Sequence, residues 1–271
     1  MPELPEVEVT RRGIAEHVVG RTIVCATVRE PRLRWPVAPQ FAQVLSGACI
    51  AQVCRRGKFL ILDTDQGAVI WHLGMSGTLR ILPHTVAPQR HDHVDLTLDN
   101  GQMVRFRDPR RFGSVHVSQD SWAAHPMVRD LGPEPLGPEF SGDYLFTRSR
   151  ARRAPVKALL MDGQVVAGIG NIYASESLFR AGIHPGRPAR RISQRRYQGL
   201  AQAVRQVLGL AIEQGGTTLR DFLSEAGRPG YFRQSLQVYG RDGEPCVRCG
   251  EPLRMRRIAQ RSSYYCIPCQ R

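Results

Sequence analysis

HVDLTLDNGQMVRFR, residues 93–107, alternates apolar and polar side chains on either side of Asn100-Gly101. A period of two marks a half-buried strand, and Asn-Gly between two such runs is a strong hairpin signal. Outward from this hairpin, TIVCATV at 22–28, KFLILDT at 58–64 and AVIW at 68–71 are further β-rich runs. Together they predict an all-β core. Ahead of it, Pro5 followed by Glu6 and Glu8 predicts a helix over about 5–18 that stops at Gly20. Proline suits a first helical turn, and carboxylates there complement the helix dipole.

The strand rhythm ends in LGPEPLGPEFSG at 131–142, where the density of Pro and Gly predicts a domain boundary. Beyond it the period changes. Ser193 can cap a helix whose apolar positions Tyr197, Leu200, Val204, Val207, Leu208 and Ala211 fall three or four apart and end at Gly215-Gly216. Asn171 can cap a shorter helix over about 172–181, closed by Gly182 and Pro185.

Length and composition bound the function. At 271 residues, two domains are the default, and 42% hydrophobic residues provide material for packed cores. No apolar run approaches the roughly 18 residues of a membrane span, and the opening MPELPEVEVTRRG lacks a secretory signal's basic head and apolar stretch. A reducing cytoplasm is the expected setting, so the seven cysteines read as thiols or metal ligands before disulfides. Residues 1–143 hold 16 basic and 16 acidic side chains, whereas residues 144–271 hold 22 and 8, so the entire +14 lies in the second half. That asymmetry is the footprint of a phosphate-rich partner. Only Lys58 and Lys157 are lysines among the 38 basic residues. Lysine can lose its proton where arginine cannot, which points to proton transfer or compact charge at these two positions.

Two constellations carry chemistry. Cys246-x2-Cys249 followed after 16 residues by Cys266-x2-Cys269 has the spacing of a tetrahedral structural Zn2+ site with knuckles at the ends of a β-hairpin. Arg254, Arg256, Arg257 and Arg261 lie between the knuckles, where the metal would stiffen a loop presenting cations to phosphate. Cys25, Cys49 and Cys54 sit in strand-like runs and are expected to be small core residues. At the other end stands Pro2, with Glu3 and Glu6 beyond it. Removal of the initiator methionine would expose a secondary amine. An ordinary α-amino group has a pKa of about 7.7–8.0, so roughly a tenth is neutral and nucleophilic at pH 7. Attack on a sugar C1′ would give an iminium ion that acidifies C2′–H and permits elimination of the 3′ phosphate. Glu3 can donate a proton to the sugar ring oxygen, and Glu6 can position a water or the amine. On composition alone, a structural helix start is the commoner use of such residues.

PELPEVE at 2–8, HLGMSG at 72–77, HDHVD at 91–95, DPRRFG at 108–113, GIGNIYASESLF at 168–179, QGGTTLRDF at 214–222 and the four-cysteine tail resemble, in order and end to end, the bacterial formamidopyrimidine-DNA glycosylases. The resemblance implies an α+β multidomain chain: an N-terminal β-sandwich with a leading helix over 1–130, a linker at 131–142, a helix-two-turn-helix domain over 143–235 and a zinc-finger β-hairpin over 236–271. It implies one structural Zn2+, double-stranded DNA containing oxidised purines as partner, bound in the cleft between the halves, and a monomeric, cytoplasmic, nucleoid-associated enzyme. It makes Pro2 the Schiff-base nucleophile and Glu3 the proton donor in base loss. Lys58 matches the family's lysine of β-elimination, and Arg261 its finger arginine of δ-elimination. Because guanidinium is a poor proton donor, phosphate binding and charge stabilisation are expected of Arg261.

A base inside a duplex must be flipped out, at a cost of a few kcal/mol, and the hole must be filled. Met75, Arg110 and Phe112 match the family's void-filling triad, although core packing is the plain reading of Met75 and Phe112. His72 and His91 can bind phosphate or cap strands, and the family pattern favours phosphate for His91. Asn171, Arg153 and Lys157 resemble DNA-contacting positions, with Asn171 expected to present its amide and backbone N–H groups at a helix mouth. Residues 217–231 are expected to form a loop over the flipped base, loosened by Gly227 and Gly230. Arg220 departs from relatives that carry Lys, so a base contact does not transfer there. Two rivals remain at this level. A non-catalytic zinc regulator fits the charge and the finger. The sister family acting on oxidised pyrimidines typically begins Pro-Glu-Gly-Pro-Glu, against which Leu4 argues.

Overall fold

Helix α1 spans Leu4–Val18 and begins one residue earlier than expected, because Glu3 rather than Leu4 is its cap. Glu3 and Glu6 form a reciprocal capping box that satisfies two backbone donors at the helix mouth. Gly20, at φ +77°, lets the chain turn away after the last turn. These coordinates come from a computed structural model that describes residues 2–215 and 236–271. The described residues fall into two units, one of residues 2–130 with Gly215 and the other of residues 131–214 with 236–271.

In the first unit the elements after α1 are β1 (Ile23–Val28), α2 (Phe41–Leu45), β2 (Ile50–Arg56), β3 (Phe59–Thr64), β4 (Gly67–His72), β5 (Thr78–Pro83), β6 (Asp92–Leu98), β7 (Gln102–Arg107) and β8 (Ser114–Ser118). They form two antiparallel sheets, of order β1-β6-β7-β5 and β2-β3-β4-β8. The hairpin that anchors the sequence reading is β6–β7. Its three-residue loop ends in Gly101 at φ +78°, and Asn100 Oδ1 accepts the Gln102 N–H. Leu60, Leu62, Val69 and Trp71 from one sheet and Leu96, Val104 and Phe106 from the other share a single buried cluster with Val7 and Ile14 of α1. Each such side chain stabilises the fold by about 1.5–3 kcal/mol, so the sandwich is held by a large common core.

Strands β5 and β8 were not marked by pattern, since each places only two or three apolar residues between polar ones, and β2 was marked only as the strand-like run around Cys54. Alternation would turn Asp95 toward water, yet it is 3% exposed. Arg105 grips it with two bonds of 2.9 and 2.7 Å and Arg29 adds one of 2.6 Å. Burial opposes ionisation of Asp95, but those guanidinium bonds outweigh it and hold the pKa below its ordinary value. The expectation of core packing for the three non-zinc cysteines is not met: Cys25 is exposed, and Cys49 and Cys54 are half-buried at strand ends and outward faces.

The second unit contains α3 (Gly142–Ser149), α4 (Val156–Met161), α5 (Asn171–Arg180), α6 (Gln194–Gly215), β9 (Arg254–Ile258) and β10 (Arg261–Tyr265). All six predicted apolar positions of α6 are buried, and Ser193 Oγ accepts the Arg196 N–H at its start. Helices α3 and α4 are additions to the two expected, too short for a period to stand out. The Pro- and Gly-rich stretch at 131–142 is tied into this unit. Gly132 N–H bonds to Gly163 O, Ala167 N–H to Pro133 O, and Arg205 to Gly137 O and Phe140 O. Among the described residues no helix is long and apolar enough to cross a membrane. The expected loop at 217–231, with Arg220, lies outside the described residues.

Candidate active site and nucleic-acid interface

Pro2 is buried directly ahead of the capping box, and Glu3 is 1% exposed. Glu6 Oε2 accepts the Glu3 N–H at 2.8 Å, so Glu6 fixes the peptide that follows Pro2. Two residues on, Glu8 anchors the helix. It takes bonds of 2.9 to 3.1 Å from Arg11, Arg12 and Arg55. Burial raises the Glu8 pKa, but the Arg11 and Arg12 hydrogen bonds and the Arg11 and Arg55 charges prevail and bring it down to about 2. Arg55 also donates to Gly57 O at 3.1 Å. Gly57-Lys58 is the two-residue turn between β2 and β3, with Gly57 at φ 56° in the position where a tight hairpin turn needs glycine. The Glu8–Arg55 link therefore ties the helix carrying Pro2 to the turn carrying Lys58.

His72, at the end of β4, pairs across the strands with Phe59, their rings 5.0 Å apart. Burial lowers its pKa to about 4, and the charges of Lys58, Arg34 and His116 add to this. The ring is thus neutral near pH 7. Its Nδ1 accepts the Gly74 N–H at 3.1 Å, which leaves the proton on Nε2 as a donor. A neutral N–H donor beside a lysine suits a phosphate oxygen. His91 sits at φ 77°, and desolvation with the nearby Arg90, His93, Arg107 and Arg111 lowers its pKa as well.

Met75 and Phe112 are 38% and 43% exposed, so the core reading of both is overturned. They stand on two loops, 73–77 and 108–113, with Arg110 Cζ 4.6 Å above the Phe112 ring. The loops are in backbone contact: a Cβ added to Gly74 would lie 2.4 Å from Gly113 N and from Phe112 C. Asp108, 0% exposed, joins them. Its Oδ1 accepts the Ser76 hydroxyl at 2.6 Å and the Arg110 N–H at 3.3 Å, and its Oδ2 accepts the Gly113 N–H at 2.7 Å.

In the second unit, Arg153 is exposed. Asn171 is the first residue of α5 rather than its cap, which is Gly170, and its Oδ1 is buried without a hydrogen-bond partner among the described residues. Lys157 corrects an expectation. Predicted to contact DNA, it is 1% exposed, with Nζ donating to Ser262 O at 3.0 Å and Ser263 Oγ at 2.7 Å. The ammonium props strand β10 from inside. Arg261 is exposed as the first residue of β10, and Arg254, Arg256 and Arg257 are exposed along β9. The hairpin turns through Ala259 and Gln260 at φ 48° and 64°.

The four cysteine Sγ atoms lie within 4.8 Å of one another, with Cys246–Cys269 at 3.9 Å and Cys249–Cys266 at 3.4 Å. A tetrahedron of Zn–S bonds of about 2.3 Å has edges of about 3.8 Å, so the cluster fits one zinc ion. Burial opposes ionisation of Cys246, but the Arg248 and Cys249 N–H groups and neighbouring thiols draw its pKa down to about 7. The cluster rests on a small core of Phe179, Val238 and Leu253.

Sequence reasoning gave no role to Asp108 and Glu176 and read Glu8 only as a helix-start carboxylate. Glu8 was legible from Arg11 and Arg12 at helical spacing. Glu176 is buried on α5 and accepts the N–H groups of Gln237, Val238 and Tyr239 at 2.8 to 3.0 Å, securing the entry to the zinc hairpin. Burial raises its pKa and those three donors oppose the rise. Glu176 carries no local signal, because its partners lie about 60 residues on, and for Asp108 the local bonds to Arg110 and Gly113 do not reveal the distant one to Ser76.

Residues 1–115 match the formamidopyrimidine-DNA glycosylase N-terminal domain, residues 131–223 the H2TH domain of the same glycosylases, and residues 243–271 a zinc finger found in FPG and IleRS. The chain is 57% identical to a formamidopyrimidine-DNA glycosylase of Stenotrophomonas maltophilia and 55% identical to one of Syntrophotalea carbinolica, each over all of both chains. Among solved structures it is similar to MutM (Fpg) of Thermus thermophilus, at 38% identity and a TM-score of 0.86 over 99% of this chain and 98% of that one. It is also similar to Lactococcus lactis Fpg in complex with abasic-site DNA, at 31% identity and a TM-score of 0.90 over 99% of each chain.

Proposed function

The chain belongs to the formamidopyrimidine-DNA glycosylase family, and from that premise we propose how its residues divide the work. It is a base-excision-repair glycosylase and abasic-site lyase for oxidised purines, acts on double-stranded DNA and carries one structural zinc. Pro2, exposed as a terminal amine, attacks C1′ of the lesion nucleoside while Glu3 protonates the sugar ring oxygen. The base leaves, the C1′–O4′ bond opens with the Glu3 proton on the ring oxygen, now a hydroxyl, and an iminium ion remains. Loss of the C2′ proton then expels the 3′ phosphate, and a second elimination expels the 5′ phosphate. The single observation that carries this reading is the buried capping box directly after Pro2, which fixes the orientation of residue 3 and with it the amine.

Lys58 serves the β-elimination stage and Arg261 neutralises phosphate charge during δ-elimination. His72, His91, Arg153 and Asn171 bind backbone phosphates, and Met75, Arg110 and Phe112 fill the vacated stack. Lys157 acts through the hairpin it supports rather than by contact with DNA. The segments 1–130, 131–142, 143–235 and 236–271 correspond to catalytic sandwich, connector, helical DNA-binding domain and zinc finger. The protein works as a monomer at the cytoplasmic nucleoid, with 8-oxoguanine and formamidopyrimidines excised in preference to thymine glycol.

Borohydride is expected to trap a covalent adduct between the mature chain and a duplex with one 8-oxoguanine. A version retaining a residue ahead of Pro2 is expected to lose both trapping and incision. Equal trapping by the two versions would show that the amine is not the nucleophile.

A further inference from the structure

We propose that Asp108 is a positioning residue that makes Met75, Arg110 and Phe112 behave as one wedge, an inference that rests on the void-filling reading above. Its carboxylate is fully buried and has no ion-pair partner among the described residues. Burying an unpaired carboxylate is costly unless hydrogen bonds compensate. Here the compensation comes from two loops at once: Ser76, which adjoins Met75, and the N–H groups of Arg110 and Gly113, which bracket Phe112, that of Arg110 being shared with Ser76 Oγ at 3.2 Å. The backbone of Asp108 extends the joint. Its N–H donates to His91 O at 3.0 Å, and its carbonyl accepts from Arg111 N–H at 3.2 Å and His93 Nε2 at 2.8 Å. Each group proposed to enter or flank the opened stack from the first unit is thus within two residues of a bond to this one side chain or its peptide.

The arrangement has a mechanical consequence. An apolar side chain parts two stacked bases only if its own backbone yields less than the stack does, and unstacking costs a few kcal/mol. Two separate exposed loops would each yield. With Gly74 in contact with the Phe112–Gly113 backbone, and one anion accepting from both loops, displacement of Met75 must displace Phe112. Both oxygens of Asp108 accept, whereas an amide accepts at one end only, so asparagine either sets its NH2 against the Gly113 N–H or forces the Ser76 hydroxyl to accept instead of donate, which loosens the joint.

The test uses the full-length zinc-loaded enzyme, comparing single-turnover excision of 8-oxoguanine from a duplex with strand cleavage at a preformed abasic site, where no stacked base has to be extracted. Asp108→Asn and Ser76→Ala are each expected to slow excision about tenfold more than abasic-site cleavage. Effects of Met75→Ala and Phe112→Ala should be strongly non-additive in the native protein and additive in the Ser76→Ala background. Should Met75→Ala and Phe112→Ala slow excision while Asp108→Asn and Ser76→Ala do not, the wedge reading stands and the role of Asp108 is refuted. Equal slowing of both steps by Asp108→Asn or by Ser76→Ala refutes it too, as that is the mark of a residue needed only for folding. If Met75→Ala and Phe112→Ala themselves spare excision, the void-filling reading fails and this inference with it.

Discussion

Two hairpins carry candidate catalytic side chains, and they are built differently. The β2–β3 turn bearing Lys58 sits on the sandwich core, lets Gly57 take the positive φ, and is braced by Arg55, which holds both Gly57 O and Glu8. The β9–β10 hairpin bearing Arg261 has one buried residue on β9, Ile258, and turns through Ala259 and Gln260, neither of which is suited to positive φ. A lone two-stranded hairpin is marginal in water, and left-handed conformations cost about 1–2 kcal/mol at each such residue. This hairpin is therefore held from its base, by the zinc knuckles, by Lys157 and by Glu176. One site borrows rigidity from a large apolar core, the other from a metal and two buried ionisable groups.

Removing the metal breaks that comparison most sharply. Cys266→Ser, or chelation, should abolish zinc content and reduce DNA affinity by orders of magnitude while the far-UV β signal of the first unit persists. Parallel loss of both would mean that the two cores are not separate. Lys157→Met keeps the side-chain length but removes the donor to Ser262 O and leaves Ser263 Oγ with only its bond to Arg261 O, at a cost of about 1–3 kcal/mol. Faster amide exchange confined to β9 and β10, with exchange in β2 and β3 unchanged, is the expected signature.

Acid probes the other hairpin. Glu8 has its folded pKa depressed from 4.5 to about 2, so the stability it provides is present above pH 4.5 and is lost as pH falls from there through 2. Glu8→Gln should remove that dependence and cost on the order of 2 kcal/mol at neutral pH, read from denaturant unfolding of the sandwich. The smallest effect belongs to the strained turn. Gln260→Gly should stabilise the zinc hairpin by about 1 kcal/mol, seen as slower zinc release, whereas Gly57→Ala should destabilise the β2–β3 turn by a similar amount.

Much of the fold was legible because it is local. Asn100-Gly101, the six buried apolar positions of α6 and the paired Cys-x2-Cys spacing each encode their element within a few residues. The strands β5 and β8 were not, because two or three apolar residues between polar ones set no period and each gains its place only from partners across the sheet. Among candidate site residues, Pro2, Glu3 and Lys58 are proposed from the chain alone, and the spacing of the four cysteines agrees with their clustering. The rarity of lysine singles out Lys157, but its burial against Ser262 and Ser263 depends on a strand far along the chain.

By itself the sequence determined which chemistry is available: a proline at residue 2, carboxylates one and four places on, four thiols at metal spacing and a cationic second half. Tertiary structure decided which of these groups face outward and which act on other protein atoms. It turned Met75 and Phe112 from core to surface, put Lys157 inside, and made Asp108 and Glu176 the points where separate segments meet. The division has a physical cause. Residue type and short spacing fix reactivity and local geometry, whereas burial and hydrogen-bond partners depend on what packs alongside from far along the chain.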